Sequence, residues 1–181
     1  MMTIILSVLA FASAATHIYA DRNRMRRYAY VFKPLTKVLL LLIAVFAARG
    51  NVSVYGLAII AGIVFSLVGD VALMLPRKQI IIGMGGFLVA HVAYIISFSS
   101  GMTAITSVWL LIPFLLYAIM MGWAVLPHAG KLKSPVEIYE AAIMLMVWRA
   151  LERMLQTGNT GATLAFASAA WANGPKGIDL G

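Results

Sequence analysis

At 181 residues, 62% of them hydrophobic and 11% charged, the chain is too apolar for a water-soluble globule. Soluble domains run near 45–50% apolar and about 25% charged, and a fold this small leaves too much surface in water to hide the difference. A formal charge of +8 is first a topology signal in such a chain, and the absence of cysteine excludes disulfides, thiolate nucleophiles and Cys-ligated metals.

Lipid is therefore the solvent, and spans of about 20 apolar residues fit six or seven times into this length. Residues 3–20 form the first apolar run, followed by Arg22, Arg24, Arg26 and Arg27. This run has no basic stretch before it and feeds straight into arginines, so it reads as a retained span rather than a cleaved leader. The second run covers 31–48 and opens with Lys33-Pro34; the third, 54–75, ends at Pro76-Arg77-Lys78. The fourth covers 80–98, and the uncharged SSGMT loop follows. The fifth covers 104–126 and stops at Pro127-His128. Pro135 then stands in the first turn of a sixth helix running to about 152. A weaker apolar stretch, 161–172, breaks down into NGPKGIDLG. The expected architecture is an all-α transmembrane bundle: one domain over 1–172 with six clear spans and a weak or truncated seventh, then an irregular tail over 173–181.

Basic residues taken loop by loop alternate in number. Arg22, Arg24, Arg26, Arg27, Lys33, Lys37, Arg77, Lys78, Lys131 and Lys133 fall on one side; Arg49, Arg149 and Arg153 fall on the other. The richer side is cytoplasmic by the positive-inside rule, which puts the N-terminus outside. The expected location is a bacterial inner (cytoplasmic) membrane.

An ionisable side chain within a span costs several kcal/mol and needs a partner or a task. Asp70 lies roughly 7–8 Å below the inner end of the third span, at 1.5 Å per residue. Lys37 falls at a matching depth in the second span, with Lys33 one turn shallower. His17, Tyr139 and Glu140 share that layer; His91 is nearer the midplane, and Tyr94 lies one turn further out. Each has a plainer reading. Asp70 pairs with Lys37 as a helix clamp, His91 bridges helices, the lysines reach to headgroups, Glu137 and Glu140 are solvated, and Arg149 pairs with Glu152 or in the neighbourhood of Arg153. The arginine cluster is an anchor on anionic lipid rather than a nucleic-acid patch. Gly62 and Ser66 lead by four-residue steps to Asp70, and Gly86 and Ala90 adjoin His91. These small faces let the third and fourth spans approach closely around a pocket.

The chain contains no GxSxG, P-loop or HExxH, and three scattered histidines make no metal site, so no cofactor or metal is expected. The two halves do not show the paired broken helices of a repeat-built transporter.

The blocks GLAIIAGIVFSLVGDVALML at 56–75 and GGFLVAHVAYI at 85–95 resemble the core of the YhhN-like integral membrane proteins, whose animal members are lysoplasmalogenases. Lys33-Pro34, the stretch 117–139 and MVWRALER at 146–153 support the resemblance, which runs from about 30 to 166. FSxxGD followed by AHxxY is its most specific part. The resemblance implies a hydrolase of lipid metabolism that cleaves the vinyl-ether bond of lysoplasmalogens to a fatty aldehyde and a glycerophospho-headgroup. It maps the family's acidic, histidine, tyrosine and KP-lysine positions onto Asp70, His91, Tyr94 and Lys33. Family members continue into a span with a second acidic motif, Ser-Asp. Here WANGPKGIDLG replaces it, and Asp179 is not in an equivalent position.

The chemistry suits the residues. Vinyl-ether cleavage needs a proton donor for the β-carbon, a negative environment for the oxocarbenium ion, and a group to activate water. Asp70 is expected as general acid or cation stabiliser and His91 as the residue orienting or activating water. Lys33 and Lys37 are expected on the headgroup phosphate, with Tyr94 and Tyr139 as supporting donors. Partners are then the lysophospholipid substrate and membrane lipid, with no nucleic acid. Two rivals stay open: a small proton-coupled transporter or lipid-binding protein without hydrolytic activity, and a purely structural Asp70–Lys37 clamp.

Overall fold

The computed structural model describes residues 2–50, 52–75, 79–102, 108–125, 127, 130 and 133–158. Arg77, Lys78, His128, Lys131, Asp179 and the stretch 161–172 lie outside the described residues. Long runs of Leu, Ile, Val and Ala give helices because, in lipid, a helix satisfies its backbone within one segment. The described residues form α1 (Met2–Arg22), α2 (Arg26–Ala48), α3 (Val54–Met74), α4 (Ile80–Ser99), α5 (Leu111–Val125) and α6 (Lys133–Thr157), with a 3-10 turn at Val108–Leu110 before α5. No strand occurs among them.

Four helices, α1 to α4, are long and apolar enough to cross a membrane. The expectation of six clear spans is met only to that extent. Helix α5 is apolar but has 15 residues. Helix α6 has 25 but carries Lys133, Glu137, Glu140, Arg149, Glu152 and Arg153. Pro135 does sit in the first turn of α6, where a missing N–H is harmless.

Packing divides the chain into two compact units, one up to Ala93 and one from Tyr94 onward. In the first, α1 and α2 form a hairpin whose tight turn puts Arg24 in the left-handed region at φ 56°. Met25 N–H donates to Ala20 O at 2.8 Å and closes the end of α1. Helix α2 begins at Arg26, earlier than the apolar run, so Pro34 lies inside it and leaves one rung of the hydrogen-bond ladder unfilled. Next to this gap Thr36 Oγ1 donates to Phe32 O at 2.8 Å, and Ser13 Oγ of α1 lies 2.9 Å from Thr36 Oγ1. Such a polar link between helices is worth about 0.6 kcal/mol in lipid. Ser53 caps α3, accepting from Gly56 N–H at 3.1 Å.

Helices α3 and α4 meet backbone to backbone. A Cβ on Gly86 would lie 3.0 Å from Gly69 N and 3.1 Å from Gly69 Cα, and a Cβ on Gly69 would lie 3.0 Å from both Gly83 O and the Phe87 ring. Only glycine permits that approach.

In the second unit, α6 is tied to the end of α4 by charge. Arg149 donates to Glu152 Oε2 at 2.6 Å and to Ser99 Oγ at 2.9 Å, while Arg153 donates to Ser100 O at 2.6 Å. The expected Arg149–Glu152 pairing is therefore present. Two guanidinium groups at the carbonyl end of α4 also suit its dipole.

Candidate functional site

Asp70 stands one turn before the end of α3, on the face carrying Ser66 and Gly62, and its side chain is 0% exposed. Helix α2 brings two lysines to it. Lys33 Nζ lies 2.9 Å from Oδ1 and Lys37 Nζ lies 3.8 Å from Oδ2, with side-chain exposures of 26% and 10%. Lys33 and Lys37 are four residues apart and so share one helix face. The contacts are ionic rather than directed: neither Asp70 oxygen receives a hydrogen bond of good geometry among the described residues. Lys37 Nζ instead donates to Ser66 Oγ at 2.5 Å. The pairing of Asp70 with Lys37 is present, but Lys33 is the nearer partner.

Three charges inside helices of membrane length are expensive: insertion scales give about 2.5–3.5 kcal/mol for each at mid-span. Their mutual attraction offsets only part of this, and apolar replacement of a buried pair is often neutral or stabilising. Stability alone is therefore a weak reason for the cluster.

His91 is buried on α4, and its Nδ1 donates to Phe87 O at 2.5 Å. That bond places a proton on Nδ1, so in the neutral ring Nε2 is the accepting nitrogen. Phe87 is also the residue whose ring lies over Gly69, the neighbour of Asp70, so its backbone carbonyl supports His91 while its side chain packs the Asp70 segment. Tyr94 and Tyr139 are both buried in the second unit, and Tyr94 stacks on Phe98 with ring centroids 6.4 Å apart. His17, expected in the same layer, sits on α1. Among the described residues no group of three metal-ligating side chains occurs.

Ser66 was legible in the sequence as a small residue facing a neighbour but not as the acceptor for Lys37. Spacing places it one turn before Asp70, and a lysine at matching depth on the preceding helix is the clue to its role. Ser13 and Thr36 were missed altogether; hydroxyls on facing spans were the only hint.

The chain matches the YhhN family over residues 28–171. It is 34% identical over 144 residues to the proteins named "Uncharacterized membrane protein YhhN" of Escherichia coli O6:H1, Escherichia coli O157:H7 and Shigella flexneri. Each match covers 77% of this chain and 66% of the relative. No solved structure matches. The matched region contains the whole Asp70–Lys33–Lys37 cluster and both glycine contacts. The chain is a membrane protein of the YhhN family.

Proposed function

We propose that this protein hydrolyses the vinyl-ether bond of lysoplasmalogen-type lipids, with Asp70 at the reacting centre. The observation that carries the reading is a fully buried carboxylate held between two lysines in helices of membrane length. A lysophospholipid brings a phosphate, an ether and an apolar chain to one place, and the cluster offers a complement to the first two.

Once the headgroup phosphate engages the lysines, the Asp70 carboxylate takes up a proton from the aqueous side and delivers it to the β-carbon of the alkenyl group. The resulting carboxylate then faces the oxocarbenium ion, whose positive charge is shared between the α-carbon and the ether oxygen. Water adds to the α-carbon and its proton passes to His91 Nε2. The hemiacetal collapses, its hydroxyl proton moving to the departing glycerol oxygen. The products are a fatty aldehyde and a glycerophospho-headgroup, and the proton on His91 returns to Asp70. Lys33 and Lys37 hold the phosphate. In this reading α5 and α6 also cross the membrane, the N-terminal side of α1 faces outward, and the host is a bacterial inner membrane.

Aldehyde release from a lysoplasmalogen by the purified protein in detergent tests the proposal. Wild type is expected to release aldehyde, and Asp70→Asn to lose about 100-fold or more, the usual scale for a removed acid. Full turnover by folded Asp70→Asn overturns it. Proton-coupled flux in liposomes with no aldehyde formed would place the protein among transporters instead.

A further inference from the structure

The two lysines of the cluster are not equivalent. Lys37 is 10% exposed and held twice, by Asp70 and by Ser66 Oγ. Lys33 is 26% exposed and pairs with Asp70 Oδ1 at 2.9 Å, with no second ion pair among the described residues. Lys33 stands against Oδ1, Lys37 lies nearer Oδ2, and the Asp70 side chain is 0% exposed, so a substrate reaches Oδ1 only by displacing a neighbour. The charge count is also uneven: two ammonium groups against one carboxylate leave a single positive charge. A phosphodiester carries a single negative charge and would balance it, and within lipid an unbalanced charge is costly.

We infer that Lys33 is a releasable lock on Asp70, opened by the phosphodiester of a lysophospholipid headgroup, which draws the ammonium away and frees Oδ1 to take up the proton that it passes to the alkenyl carbon. This rests on the hydrolytic reading above and adds to it the residue that selects phosphate-bearing substrates. Lys33 is suited to the movement. Its flexible four-carbon stem is partly in the open, and an ammonium accepts a phosphate oxygen in place of a carboxylate oxygen at similar distance and strength. Lys37 stays with Ser66 and keeps Asp70 from standing alone. A neutral vinyl ether of the same chain length lacks the charge that opens the lock.

The test compares a lysoplasmalogen with the corresponding 1-alkenylglycerol, which has no phosphate, on wild type, Lys33→Met and Lys33→Arg. Wild type is expected to turn over the neutral lipid with a kcat roughly tenfold or more below that for the lysoplasmalogen. In Lys33→Met the neutral lipid's kcat rises towards that of the lysoplasmalogen, while KM for the lysoplasmalogen increases. Lys33→Arg preserves the preference and keeps the comparison meaningful if the methionine variant folds poorly. Equal kcat on both lipids in wild type, or an unchanged preference in folded Lys33→Met, overturns the lock.

If wild type cleaves neither lipid, the hydrolytic reading fails, and binding decides the selectivity of Lys33 by itself. Lysophosphatidylethanolamine should then bind more tightly than monoacylglycerol in native mass spectrometry, with the difference lost in Lys33→Met. No difference, or competition by inorganic phosphate as effective as by the lysolipid, overturns the assignment to a lipid headgroup.

Discussion

Lys37 shows how little a charged residue in a membrane helix can be judged by its nearest contact alone. Its ammonium is 3.8 Å from Asp70 and 2.5 Å from Ser66 Oγ, so its removal takes the donor from Ser66 and leaves Asp70 to Lys33. Lys37→Met is expected to destabilise the folded protein by about 1–3 kcal/mol, the usual cost of leaving a buried polar group without its partner. Adding Asp70→Leu should recover part of that loss, because Lys33 can then reach towards the interface, while leaving no hydrolysis. Thermal unfolding in detergent with an aldehyde assay on each variant checks both halves. A double variant no more stable than Lys37→Met would show that the ion pair is not what the single change breaks. The acid and its lysines were legible in the sequence because a charge in an apolar run has few explanations. The closer approach of Lys33 was not, since residue counting gives a depth along the helix and not the reach of a long side chain.

At the level of helices, the glycines of α3 and α4 set the spacing that the site depends on. A side chain at Gly86 would press on Gly69 N and Cα and on Phe65 O, all backbone atoms that cannot turn aside. Gly86→Val should therefore cost about 1–3 kcal/mol, as overpacking does elsewhere, and lower any turnover by displacing α4 from Asp70. Gly85→Ala, with nothing within 4 Å, should leave melting and turnover close to wild type and serves as the control. Equal melting temperatures for the two variants would remove the close approach as a determinant. The small-residue pattern foretold a close approach of α3 and α4 and the part of Gly86 in it, but on α3 it named Gly62 and Ser66, whereas Gly69 makes the contact. The start of α2 was not foretold, because an apolar count begins a helix where lipid begins, whereas the backbone continues its hydrogen bonding through Arg26, Arg27 and Tyr28. Pro34 thus became an interior residue instead of an entry residue. The limits of α5 and α6 were obscured for a related reason: charged positions within α6 and a 15-residue α5 blur the boundary that hydropathy draws.

Over the whole molecule, the proposed orientation rests on where the basic residues fall, and the cysteine-free sequence allows a clean test. Thr3→Cys and Gly50→Cys should react in intact cells with a membrane-impermeant thiol reagent, and Asn23→Cys only after permeabilisation. The reverse pattern would invert the assignment, placing Asp70 and its lysines nearer the outer leaflet. The basic-residue count was readable from the sequence, as was the FSxxGD and AHxxY pattern at the centre of the chain. The backbone contact between Gly69 and Gly86 also governs how a lipid could arrive. With the two chains touching there, no hydrocarbon tail passes between α3 and α4 at the level of Asp70. The partly open flank is that of α2, where Lys33 stands. On the proposed reaction, an alkenyl chain slides in sideways from the bilayer past that residue, and it meets the phosphate-sensing lysine before it meets the acid.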